Sequence, residues 1–210
     1  MRIATPAQDA GFLRARRVEL GELLGQPLPN DVRPCPGCDM PCPSTGSTTC
    51  ACHCGPECPH APTQMSSEPE EFPVEQGIVP LVYALYSLRL VEPCWSCEGH
   101  TKNDGTYWRL PQAWFYCRSQ VLPRIMADAL THLRSNGAIE ATWIVSVTYA
   151  AEESLDPVYA IRPDLSLSES HDLRTLRRDV EGIAAGLLEA VRDRARYYLK
   201  TIPAGVSLPR

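Results

Sequence analysis

Cysteine and histidine supply the chemistry of this chain. Seven of its ten cysteines fall between Cys35 and Cys58, in the run CPGCDMPCPSTGSTTCACHCGPECPH, which also holds His53 and His60. Thiolates and imidazoles at such density can bind a soft metal, pair as disulfides or cycle between thiol and disulfide. Zinc takes four such ligands at tetrahedral corners, and ligands two to four residues apart let one tight turn bring two of them to one ion. Cys35 and Cys38 have that spacing, with Pro36-Gly37 as the turn; Cys38–Cys42 and Cys54–Cys58 fit it too. Cys50, Cys52 and Cys54 alternate, so an extended backbone turns their thiols to one side. With His53 and His60 there are nine ligands within 26 residues, enough for two separate sites or one cluster with bridging thiolates. Zinc is the expected metal, with an iron–sulfur cluster or copper as alternatives, because soft sulfur suits all three. A structural role is expected for this run, since it has ligands to fill all four positions of an ion.

A second group reads Cys94-Trp-Ser-Cys97-Glu-Gly-His100. In one reading, Cys94, Cys97 and His100 hold zinc. Cys117 is a candidate fourth ligand if residues 106–110 and 113–118 form a hairpin that returns it to the site. With Cys117 the site is closed and structural; without it, an open position admits water, the catalytic pattern, with Glu98 or Asp104 as candidate general bases. A redox reading needs the cysteine pair at the start of a helix, where the thiol pKa falls. The following Glu98 to Gly105 does not have a helical pattern. In the third reading the cysteines are small buried hydrophobes and His100 is a loop residue. Pro93-Cys94-x2-Cys97 matches half of the zinc nucleobase-deaminase pattern, but the upstream His-x-Glu is missing, which excludes that chemistry.

The elements that must position these residues divide the chain. Residues 1–30 form a leader in which Asp9 caps a short helix carrying Phe12, Leu13, Leu20, Leu23 and Leu24. Residues 31–74 form the Cys/Pro-rich metal-binding segment and a polar linker. Between Cys35 and Phe72 its only large apolar side chains are Met40 and Met65, so burial cannot offset the entropy of ordering it: metal ties it down, it lies on another surface, or it stays disordered. Residues 75–203 form the domain that carries the CxxCxxH element, and 204–210 a loose tail. In the domain, Pro80 starts a helix with Leu81, Leu85 and Leu88 on one stripe. A polar loop spans residues 92–105, and two short strands surround Pro111-Gln112. Ser119 caps a helix that Asn136-Gly137 stops. Trp143, Val145, Val147 and Tyr149 alternate as a half-buried strand, paired with 158–162 through a loop containing the solvated Glu152-Glu153. A helix starting at Ser168 or Ser170 carries the stripe Leu173, Leu176, Val180, Ile183, Leu187 and Val191. The order predicts an α+β fold: a small antiparallel sheet with helices on one face.

Charge and hydropathy narrow the function. A net charge of −5 without clustered Lys and Arg argues against nucleic acid as a partner. The longest apolar segment, Ile78 to Val91, is too short for a membrane span and contains Arg89. The N-terminus lacks the apolar core of a secretory signal, so a cytoplasmic location is expected, where thiols stay reduced and favour metal over disulfides. No phosphate-binding glycine loop, nucleophile elbow or His-Glu-x-x-His helix occurs. The expectation is a cytoplasmic zinc-binding protein with a binding or regulatory role and a protein partner. The alternatives are a metalloenzyme with an open Cys94/Cys97/His100 site, and a soft-metal storage or transfer protein.

Overall fold

Period-two alternation of apolar side chains builds the sheet. In the computed structural model, which describes residues 10–25, 74–75, 77–88, 90–148, 157–164 and 171–202, four strands run antiparallel. They are β1 (Val91–Cys97), β4 (Gln112–Cys117), β5 (Trp143–Thr148) and β6 (Val158–Pro163), in the spatial order β1-β4-β6-β5. Ala113, Phe115 and Cys117 point into the core, and Phe115 sits opposite both Pro93 and Tyr159. Trp143 and Val145 line up with Pro163 and Ile161 on the same face, as alternation requires. Val147 shares that face but lies 51% exposed. Tyr149, the Glu152-Glu153 loop, Asp9, the 204–210 tail and the whole thiol-rich run from Cys35 to His60 lie outside the described residues.

Four helices complete an α+β fold. Pro80 lies in the first turn of α2 (Val79–Ser87), where its missing N–H costs no helical bond. Five consecutive residues, Leu81 to Leu85, are buried, so this helix is covered on nearly every side. Helix α3 (Leu122–Ser135) starts behind Ser119, whose hydroxyl accepts the N–H groups of Val121 and Leu122 at 3.1 and 3.0 Å. It ends at Gly137, whose φ of 74° closes the last turn. Helix α4 (Leu173–Thr201) is capped by Asp172, which accepts the Thr175 N–H at 2.7 Å, and it buries Leu176, Val180, Ile183, Leu187 and Val191. Helix α1 (Ala10–Gly25) packs on α4 and sinks Leu20 and Leu23 into the same core. Glu19 of α1 accepts the Ser119 hydroxyl, which ties the first helix to the start of α3. The buried carboxylate of Asp179 accepts the N–H groups of Glu140 and Ala141 and the Trp143 indole N–H, at 2.9, 2.8 and 3.0 Å. It thereby anchors α4 to the entry of β5.

The stretch expected as a polar loop folds differently. Its first half is strand β1, and His100–Thr101 forms β2, which pairs with β3 (Tyr107–Arg109) in a separate two-stranded ribbon. The expected hairpin between residues 106–110 and 113–118 is therefore absent: β3 folds back on β2, and β4 pairs with β1 and β6. Local turn chemistry decides this. The Lys102 N–H donates to the Thr106 carbonyl at 2.7 Å, Gly105 takes φ of 82°, and Asp104 accepts both the N–H and the hydroxyl of Thr106. That closes a hairpin at once and leaves residues 107–109 no freedom to reach β4.

Candidate metal centre

Glu75, Cys97 and His100 converge: one ligand atom from each lies within 4.8 Å of the others. Cys97 ends β1 and His100 opens β2, and the turn between them depends on Gly99, whose φ is 85°. That left-handed conformation lets Cys97 and His100 turn back toward one point. A Cβ at Gly99 would fall 2.6 Å from Pro111 and 2.7 Å from Leu173, so the turn is also packed too tightly for a side chain.

Glu75 arrives from the segment before α2. Its Oε1 lies 2.7 Å from His100 Nε2, and its Oε2 accepts the Glu98 N–H at 2.7 Å. Glu98 completes the frame. It accepts the Gly77 N–H at 2.8 Å and pairs with Arg177 of α4 at 2.7 Å. Arg177 also donates to the carbonyls of Glu98 and Gly99, at 3.2 and 2.9 Å. The long helix thus holds the turn that presents Cys97 and His100.

Burial is the main force raising the Cys97 thiol above its ordinary pKa of 9.0. The Gly99 backbone hydrogen bond opposes it, the Glu75 charge adds to it, and the Arg109 cation opposes it. Cys97 is only 3% exposed, while the His100 and Glu75 side chains are 33% and 36% exposed, so the group has a dry floor and a wet rim.

The donor set suits a borderline ion: one sulfur, one imidazole nitrogen and one carboxylate oxygen are all zinc ligands. Zinc–ligand bonds of about 2.0–2.3 Å at tetrahedral angles separate ligand atoms by about 3.3–3.7 Å. The Glu75–His100 contact of 2.7 Å is a hydrogen bond that must open by about half an ångström to admit an ion. The remaining atoms are already within reach.

The structure separates the other sequence candidates from this group. Cys94 is the extra residue of a bulge in β1, between Pro93 opposite Phe115 and Trp95 opposite Trp114, and burial pushes its thiol up to about 11. A thiol so raised inside a strand lacks the helix-terminal activation of a redox pair. Cys117 faces Val91, whereas Cys97 faces Gln112 at the other end of β4, about 17 Å along the strand. Its thiol donates to the Ser119 carbonyl at 3.4 Å, and burial pushes it up to about 11. Glu98 is committed to Gly77 and Arg177, and Asp104 caps the exposed β2–β3 turn, where the Thr106 hydrogen bonds lower its pKa. Cys35, Cys38, Cys42, Cys50, Cys52, His53, Cys54, Cys58 and His60 lie outside the described residues.

Glu75 was missed by sequence reasoning. It stands 22 residues before Cys97, so no ligand spacing marks it. No family model, curated protein or solved structure matches the chain.

Proposed function

We infer that this is a zinc-binding protein whose folded domain carries a centre made of Glu75, Cys97 and His100. The observation that carries the reading is the convergence of these three donors within 4.8 Å on a turn held by Gly99, Glu98 and Arg177. Mixed sulfur, nitrogen and oxygen donors suit zinc better than the all-sulfur environment typical of iron–sulfur clusters or copper(I). The thiol-rich run from Cys35 to His60 supplies further zinc ligands by its spacing. We further propose a cytoplasmic, regulatory role with a protein partner, a reading supported by ligand spacing in the thiol-rich run that suits metal better than disulfides. Among the described residues no helix is long and apolar enough to cross a membrane.

A metalloenzyme is the second reading. It draws on the same count, because three protein ligands are the pattern of catalytic zinc. Its support is weaker, since Glu98 is already engaged by Gly77 and Arg177 and so is poorly placed to act as a base.

The test is metal content. The full chain, purified without added metal, is compared with Cys97→Ser, Glu75→Gln and His100→Ala. Each variant is expected to lose one equivalent of zinc while retaining whatever the thiol-rich run holds. Unchanged stoichiometry in all three refutes the centre, and a brown chromophore in the wild type replaces zinc with iron–sulfur.

A further inference from the structure

An arginine that pairs with no carboxylate of the described residues stands beside the candidate centre. Arg109 faces His100 across the β2–β3 pair, and its positive charge acts on the Cys97 thiol. No carboxylate of the described residues forms an ion pair with it. Two indole rings flank its guanidinium instead, Trp95 at 5.2 Å and Trp108 at 5.3 Å from the ring centroids. Trp108 also lies 5.7 Å from the His100 ring and is 62% exposed, so Arg109, Trp108 and His100 form one wet rim.

Charge balance gives this rim a purpose. A divalent ion held by the Cys97 thiolate, the Glu75 carboxylate and a neutral His100 has a net charge of zero. An anionic fourth ligand would leave the centre at minus one, and the adjacent Arg109 cation offsets that charge. A planar guanidinium offers paired N–H donors matched to the oxygens of a carboxylate or phosphate. Both indole rings lie within cation–π distance of the guanidinium and favour its position beside the centre.

We propose that the Glu75/Cys97/His100 centre takes an oxyanion as its fourth ligand, bound jointly by the metal and by the Arg109 guanidinium between Trp95 and Trp108. The proposal rests on the metal reading above and specifies what that centre binds. The ligand class is a compound with a free carboxylate or phosphate group, small enough to reach the rim.

Cobalt(II), whose visible bands report its coordination, tests both steps separately on the full chain. In the first step, wild type and His100→Ala are titrated with cobalt. One additional equivalent in the wild type, seen in the difference spectrum, reports the centre; its absence refutes the metal reading itself. In the second step, acetate or inorganic phosphate is added to the cobalt-loaded protein. A saturable change in the His100-dependent bands by either anion is expected, and Arg109→Ala should weaken it about ten- to hundredfold with unaltered cobalt stoichiometry. Arg109→Lys should recover part of the loss, because it keeps the charge and loses the fork. If the centre fills but neither anion alters its bands, the proposal is overturned; a fourth ligand supplied by the thiol-rich run would give that result. Equal anion affinity in wild type and Arg109→Ala overturns it as well.

Discussion

Replacing Gly99 by alanine tests whether the turn between Cys97 and His100 is fixed by conformation, by packing or by both. Gly99 has φ of 85°, and its added Cβ would meet Pro111 at 2.6 Å and Leu173 at 2.7 Å. Gly105, in the next turn, has nearly the same φ of 82°, and nothing lies within 4 Å of its added Cβ. The two positions share the conformational penalty and differ in the steric one. A left-handed alanine costs about 1–2 kcal/mol. Overpacking against a fixed ring and a helix residue adds about 1–3 kcal/mol. Gly105→Ala is therefore expected to lose about 1–2 kcal/mol and Gly99→Ala about 2–5 kcal/mol. Denaturant unfolding followed by tryptophan fluorescence measures both, provided the m-values agree. The site adds a second readout. Relief of the clash moves the Gly99 backbone, which parts the Cys97 and His100 donors, so zinc affinity at the centre should fall in Gly99→Ala and persist in Gly105→Ala. Equal stability losses would refute the packing account. A destabilised Gly99→Ala with unchanged zinc affinity would refute the claim that this turn sets the ligand geometry.

Two further outcomes follow from buried groups. Asp179→Ala removes the acceptor of three N–H donors, two of them fully buried, and should cost about 2–5 kcal/mol in equilibrium unfolding; Asp179→Asn, which keeps one acceptor oxygen, should cost less. A loss under about 1 kcal/mol would mean that water replaces the carboxylate. Alkali should destabilise the metal-free protein between pH 9 and 11. Burial holds Cys117 at about 11 against an ordinary 9.0, so the folded chain keeps a proton that the unfolded chain releases. That contribution is whole below pH 9 and is lost as the pH rises toward 11, and Cys94 acts with the same sign. It amounts to roughly 2–3 kcal/mol for Cys117, so Cys117→Ala should flatten the decline measured across this range, and an unchanged slope would contradict the burial account.

The parts of the fold written in local periodicity were legible. The stripe from Leu176 to Val191 and the alternation of Trp143 and Val145 each need only one element and one apolar neighbour to be read. The stop at Asn136-Gly137 was likewise local, whereas Ser119 stands two residues ahead of the N-cap Val121 and accepts the Val121 and Leu122 N–H groups from there. The β2–β3 ribbon was not, because two- and three-residue strands carry too few side chains to show a period. The site was half legible. Cys97 and His100 converge because the glycine between them permits the turn, while Cys94 shares the spacing but falls on a bulge within a strand. Glu75 required the tertiary fold: its partner is chosen by the docking of residues 75–78 on the β1–β2 turn through Glu98 and Arg177.

Exchanging Cys94 for Glu75 changes which parts of the chain a bound ion would join. A Cys94/Cys97/His100 set would lie in a single turn and join nothing distant. Glu75 would instead make the centre a tie between the β1–β2 turn and the segment before α2. The fold has an apolar core apart from that tie. Its core runs from Leu20 and Leu23 in α1 through Phe115 and Ile161 in the sheet to Val191 and Ala195 in α4. The Glu75–His100 hydrogen bond joins the same two segments. An ion whose binding is not spent on folding can come and go without unfolding its host. Residues 35–60 offer no comparable apolar inventory in their sequence. An ion at Glu75, Cys97 and His100 would therefore sit on a core that other residues supply.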